Sequence, residues 1–161
     1  MALNQGLPSL TPNLQLGLIQ QSKNNFTESN KYFQNVLKMD PNHQIARVNL
    51  GDNFNILGDY GNAEKNLKIA INNQSPMPEA FDALGQVYAK QNRLAIAEIM
   101  FKVSIALKSN YGNGHLNLAI LFTKIGNKKK AIYHLKETIR LGIINQTATD
   151  LSVLYGLRLK K

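Results

Sequence analysis

The sequence predicts an all-α fold: a right-handed α-solenoid of four helix pairs closed by a C-terminal capping helix. Three observations predict it. Leu-Gly recurs at Leu16-Gly17, Leu50-Gly51 and Leu84-Gly85 and returns as Leu118-Ala119, each 34 residues after the last, and a fixed period of that size marks stacked repeats. Turn-forming residues interrupt the chain at matching places in each period. No stretch alternates apolar and polar residues over strand length, so no sheet is expected.

The elements follow in order. Residues 1–10 carry Leu3, Leu7 and Leu10 with Gly6 and Pro8, which suits an extended arm. The four pairs are then expected at 11–43, 44–77, 78–111 and 112–143, with helices over 11–22 and 26–38, 44–57 and 60–73, 78–91 and 94–107, 112–125 and 128–141. Three residues after the glycine stand Gln20, Phe54, Tyr88 and Phe122, and seven after it Asn24, Gly58, Asn92 and Gly126, which suit a turn between the helices of a pair. Twelve after it stand the small residues Ser29, Ala63, Ala97 and Ala131. Sixteen after it stand Phe33, Leu67, Phe101 and Leu135, and twenty after it Leu37, Ile71, Ile105 and Ile139. The glycine is expected to let the two helices of a pair approach closely, with the small residues as the surface it meets. Tyr111-Gly112-Asn113-Gly114 reads as a turn between pairs. The last segment, 144–161, is expected to form a capping helix from about Gln146 to Leu159, with Ala148, Leu151, Leu154 and Tyr155 as its apolar stripe and Arg158, Lys160 and Lys161 at its end.

These columns resemble the tetratricopeptide repeat family: Leu-Gly followed by an aromatic residue, then Ala, then Phe or Leu, then Pro41 closing the first unit. The resemblance spans about residues 10–143. It implies a binding module and leaves the partner open, because such repeats occur in proteins of unrelated roles. The first unit departs most, with Asn13 and Gln20 at positions that are large or aromatic later, and is expected to be the most loosely packed. The closing proline is replaced by Ser75, Ser109 and Ile143.

In stacked helix pairs of this kind the first helix of each pair lines the concave side, and the face opposite the Leu-Gly core follows by geometry. It holds Leu14, Gln15 and Leu18; Ile45, Val48, Asn49, Asp52 and Ile56; Asp82, Gln86 and Lys90; and Asn113, Leu116, Asn117, Ile120 and Lys124. Aliphatic residues beside amides suit a groove that takes a peptide or protein segment, with pockets for side chains and amides for the backbone. Gln15, Asn49, Ala83 and Asn117 share one column and resemble the asparagine ladder by which some family members hold a peptide main chain. Replacing Asn49 and Asn117 is therefore expected to weaken a ligand without affecting stability. The Lys/Asn/Arg clamp for C-terminal carboxylates, found in another subset, is absent: Val48, Asp52, Glu79 and Ala83 stand at its columns.

Charge is unevenly placed. The chain of 161 residues has a net charge of +9. Residues 1–80 carry six basic and six acidic side chains, whereas 81–161 carry thirteen and four. Lys102, Lys128, Lys129, Lys130, Lys136 and Arg140 lie on second helices and offer an alternative reading, docking to an anionic surface. Tyr133 is the one aromatic interleaved with them, so nucleic acid is disfavoured, and membrane contact is expected only peripherally. Catalysis is not expected. Cysteine is absent, His43, His115 and His134 are scattered, His115 fills a core column, and no metal spacing or nucleophile motif occurs. No cofactor is expected. With no long apolar run and no basic start to Met1–Thr11, neither a transmembrane helix nor a secretory signal is expected, and the chain reads as cytoplasmic. The sequence reading is thus a non-enzymatic adaptor, scaffold or assembly chaperone, or the recognition subunit of a larger enzyme or secretion assembly, with the arm as a means of self-association.

Overall fold

The computed structural model describes residues 10–157, and every regular element among them is an α-helix. These are α1 Leu10–Ser22, α2 Phe26–Met39, α3 Gln44–Ile56, α4 Tyr60–Ile71, α5 Pro78–Lys90, α6 Leu94–Leu107, α7 Gly112–Lys124, α8 Lys128–Arg140 and α9 Gln146–Leu154. The chain forms two compact units, Met1–Pro76 with α1–α4 and Met77–Lys161 with α5–α9. The division falls where the connection between pairs is longest, the six residues 72–77, which include Pro76. The arm residues Leu3 and Leu7, and Arg158, Lys160 and Lys161, lie outside the described residues. Leu10, expected in the arm, instead opens α1 and packs beside Phe33 and Val36.

The turn column explains itself in the backbone. Asn24, Gly58, Asn92 and Gly126 all have positive φ, between 60° and 79°, the left-handed conformation that Gly and Asn adopt at least cost. That reversal lets the next amide reach back to the carbonyl of the column three residues after the glycine: Asn25 to Gln20 and Asp59 to Phe54 at 2.9 Å, and Arg93 to Tyr88 and Asn127 to Phe122 at 2.8 Å. Each first helix so ends in a closed C-cap. The same next residue opens the second helix. The Asp59 carboxylate accepts from the Asn62 amide at 3.1 Å, and the Asn127 side chain from the Lys130 amide at 3.2 Å.

The glycine column meets the large residues as well as the small ones. A Cβ built on Gly17, Gly51 or Gly85 would lie 2.5 Å from Phe33, Leu67 or Phe101 respectively. Of the small column, the Ser29 hydroxyl donates to the Gly17 carbonyl at 2.8 Å, and Ala63, Ala97 and Ala131 are fully buried. Leu84, 1% exposed, anchors the first of unit 2's helix pairs. Leu84→Ala is expected to lower stability by about 2–5 kcal/mol, read from the urea midpoint; a wild-type midpoint would remove Leu84 from the core.

Unit 1 is loosely packed at its start, as the sequence suggests: the buried residues of α1 are Asn13 and Gly17, and Leu16 is 39% exposed where Leu50 is 3%. Phe33, Val36, Ala46 and Leu50 form its buried cluster, flanked by Leu10, Leu14, Leu37 and Phe54. A polar network joins α1, α2 and α3. The fully buried Asn53 donates to Ser29 Oγ and to Asn30 Oδ1, both at 2.9 Å, and its own Oδ1 accepts from Gln21 Nε2 at 2.8 Å. With its polar atoms partnered, the amide stays buried without the cost of an orphaned group.

Unit 2 departs from expectation at two places. Gly112-Asn113-Gly114 is the first turn of α7, not a loop. A Cβ on Gly112 would overlap Ile143, and one on Gly114 would come within 2.7 Å of Ser104, so the glycines serve close packing. The capping helix ends at Leu154, short of Leu159, because Gly156 takes a φ of 67° and the Leu157 amide turns back to the Ser152 carbonyl at 2.8 Å. Its Ala148 is buried with Leu116, Ala119 and Leu135. No helix among the described residues is long and apolar enough to cross a membrane.

Candidate functional site

The expected groove residues divide between the units. In unit 2, Gln86 and Lys90 on α5 and Asn117, Ile120 and Lys124 on α7 converge on one cavity of about 320 Å³. Repetition places them: Lys90 and Lys124 share a column, as do Gln86 and Ile120, so adjacent first helices present matching rows. The floor comes from residues outside that set, Ala89, Leu94, Phe101 and Leu121. Leu94 and Phe101 belong to the second helix α6, and the column of Phe101 was the signal in the sequence that could have found it.

Beneath the rim lies Asp82, 4% exposed. Asn117 Nδ2 donates to its Oδ1 at 2.8 Å and Gln86 Nε2 to its Oδ2 at 3.0 Å. Burial pushes the Asp82 carboxyl above the usual carboxylate range, and hydrogen bonds from Asn117, Gln86 and Tyr111 pull against it. With both amide nitrogens turned to Asp82, the amide oxygens of Gln86 and Asn117 remain as acceptors. Lys90 and Lys124 are exposed and carry no ion pair among the described residues. The cavity therefore offers an apolar floor, two amide acceptors and two ammonium groups.

Several expected groove residues are elsewhere. Val48, Asp82 and Leu116 share the column three before the glycine and are buried; that column belongs to the core. Asn113 stands exposed in the first turn of α7. In unit 1, Leu18, Ile45 and Ile56 are exposed, Gln15 is exposed, and Leu14 and Asp52 are half-buried. Asn49 is half-buried and donates to the Ile45 carbonyl of its own helix at 2.8 Å. The side-chain N–H donors of Asn49 and Asn117 are thus engaged within the protein. Asn117→Ala is accordingly expected to destabilise by about 1–3 kcal/mol, by stripping a donor from a buried carboxylate. Asn49→Ala should stay within about 0.5 kcal/mol of wild type. Equal melting temperatures for the two variants would show that the Asp82 contact contributes nothing.

The basic residues of α6 and α8 are partly committed. Lys102 pairs with Glu98 at 2.6 Å and Arg140 with Glu137 at 2.7 Å, and Lys130 Nζ lies 4.9 Å from the Phe122 ring centroid. Lys128, Lys129 and Lys136 are exposed. His115, buried as its column suggests, meets His134 with Nδ1···Nδ1 at 3.0 Å. One ring must donate and the other accept, so the accepting ring is neutral and the two cannot both be imidazolium. Among the described residues no third His, Cys, Asp or Glu joins them into a metal-holding group.

Residues 11–43 match the family model of the tetratricopeptide repeat. Among curated proteins, none matches this chain. Solved structures similar to it include a thermophilic TPR protein of Thermus thermophilus, 19% identical with a TM-score of 0.84, the match covering 92% of this chain and 84% of that one. MamA protein is 25% identical over 92% of this chain and 84% of its own, with a TM-score of 0.67. YrrB, described as a TPR protein with an unusual peptide-binding site, is 14% identical over 90% of this chain and 92% of its own, with a TM-score of 0.58.

Proposed function

The chain is a tetratricopeptide repeat protein, and from that premise we propose that it is a non-catalytic adaptor that holds an extended segment of a partner protein in the α5–α6–α7 cavity. The observation that carries this reading is the convergence of Gln86, Lys90, Asn117, Ile120 and Lys124 over a floor of Leu94, Phe101 and Leu121. An apolar side chain would enter the floor, the two amide oxygens would accept backbone N–H groups, and the two lysines would favour a ligand with negative charge nearby. The fold supports protein binding in general, and YrrB shares that fold.

The test is selection from a random peptide display library on the full chain, followed by titration of the selected peptides against wild type and Ile120→Asp. Ile120 is 39% exposed, so the change should leave the helical circular dichroism intact. Binding is expected to weaken by about tenfold or more, the effect of losing one well-buried contact. Peptides that bind Ile120→Asp as tightly as wild type would exclude this cavity.

A further inference from the structure

We propose a second docking site on unit 1, independent of the cavity in unit 2: the groove between α2 and α4, floored by α3, receives an acidic, amphipathic segment of a partner protein. The groove is a cavity of about 410 Å³. Its floor is apolar, formed by Leu37, Leu50, Phe54 and Ile69, and its charged lining is Lys38, Arg47 and Lys65 with no carboxylate.

Composition does not account for this separation of charge, because residues 1–80 have equal numbers of basic and acidic side chains. The nearby acids are occupied elsewhere. Glu28 pairs with Lys31 at 2.6 Å and Glu64 with Lys68 at 2.7 Å. Asp40 accepts from the Asn42 amide at 3.0 Å, and Asp59 from the Asn62 side chain at 2.7 Å.

Arg47 is the centre of the site. It is half-buried and has no ion pair among the described residues; it donates only to neutral acceptors, the Pro41 carbonyl and Asn66 Oδ1. These contacts orient the guanidinium without neutralising it. A cation drawn partly out of water gains from an incoming anion, and its planar fork suits a carboxylate. Three lysines on an exposed helix face would call for nothing more than water. Here one cation is partly withdrawn and all three surround an apolar floor, which a free inorganic anion would leave uncovered.

A second cavity, of about 450 Å³, adjoins the first and shares Arg47 and Ile69 with it. Gln44, Asn72, Asn73 and Gln74 line it. The track is therefore long enough for several residues of a chain and ends among amides that suit a backbone. Phe54 is the single aromatic in either cavity, too few for base stacking, so a protein segment fits better than nucleic acid.

The experiment measures fluorescence anisotropy of a short labelled peptide carrying leucines flanked by glutamates, titrated with the full chain. Wild type should bind it at low salt, and the same peptide with glutamine for glutamate should bind about tenfold or more weakly. Arg47→Glu should weaken binding by about tenfold or more. Lys38→Glu with Lys65→Glu, both exposed positions, should do the same and covers the case in which Arg47→Glu misfolds. Lys23→Glu with Lys108→Glu, two exposed lysines outside both cavities, should leave binding unchanged. Loss of binding in that last variant alone would overturn the assignment, as would retention in the Lys38/Lys65 variant. So would tighter binding of an oligouridylate than of the acidic peptide.

Discussion

Gly85→Val is expected to lower stability by about 3 kcal/mol, at the upper end of the overpacking range. The first added carbon would lie 2.5 Å from Phe101 Cε1 and 2.7 Å from Cδ1. Phe101 is 2% exposed, so the ring has nowhere to turn. The gain in helix propensity on replacing glycine, at most about 1 kcal/mol, does not offset this. The fourth helix pair suggests a stricter test. There Ala119 replaces the glycine and is buried with Leu135 in place of a phenylalanine. Leu67 lies as close to a Cβ on Gly51 as Phe101 does to one on Gly85, yet Leu135 accommodates Ala119. A leucine can therefore yield where a buried ring cannot, and Gly85→Ala should cost less in a Phe101→Leu background than in wild type, with a coupling of about 0.5–3 kcal/mol across the cycle. Simple additivity of the two changes, read from urea midpoints, would mean that the columns do not act as a pair.

Acid should loosen unit 2 through the histidine pair. Burial, then His115 and Lys102, hold His134 down to about 4, against Glu137 and Glu98. Burial also lowers His115, opposed by Glu137 and assisted by Arg140. A histidine depressed in the folded state takes its proton more readily when unfolded. The stability it contributes is complete above about pH 6.5 and is lost as pH falls from there toward the folded value. One proton sets a ceiling of about 1.4 kcal/mol per pH unit, and the partial exposure of His134 reduces it. Asp82 opposes the trend at the acid end, since a carboxyl raised by burial regains stability when protonated. His134→Phe, which can keep the stacking on Phe122 at 5.6 Å, is expected to flatten the fall in urea midpoint between pH 7 and 5. An unchanged slope in that variant would assign the acid sensitivity to other groups.

The helices were legible because each column has a local cause. The left-handed turn needs Asn or Gly, and close approach needs a glycine every 34 residues. What else sat across from the glycine was not legible, since the period fixes which residues recur and not which recurring rows touch. The row of Phe33, Leu67 and Phe101 shares that place. In the candidate site, the α5 and α7 rows could be read from helix geometry, whereas of their second-helix floor only the Phe101 column carried a signal. Asp82 meets Asn117 of the next pair and Leu116 is buried with Ala148 of the capping helix, neighbours that one helix's periodicity does not describe. The His115–His134 contact joins two helices in columns with no common pattern. Nor does the column of Asn53 announce a polar cluster, because Val87 and Leu121 occupy it in unit 2 and are buried there.

That cluster has a consequence for how far the repeats are interchangeable. An array of identical units could be lengthened, shortened or shuffled with little loss, each neighbour meeting the same surface. Here α3 is matched to α1 and α2 by the hydrogen bonds of Asn53 with Gln21, Ser29 and Asn30. Substituting the α5–α6 pair for α3–α4 would set Val87 against those polar groups and strand their donors and acceptors. The order of the first two pairs is therefore encoded chemically: the fold repeats, but its parts are keyed.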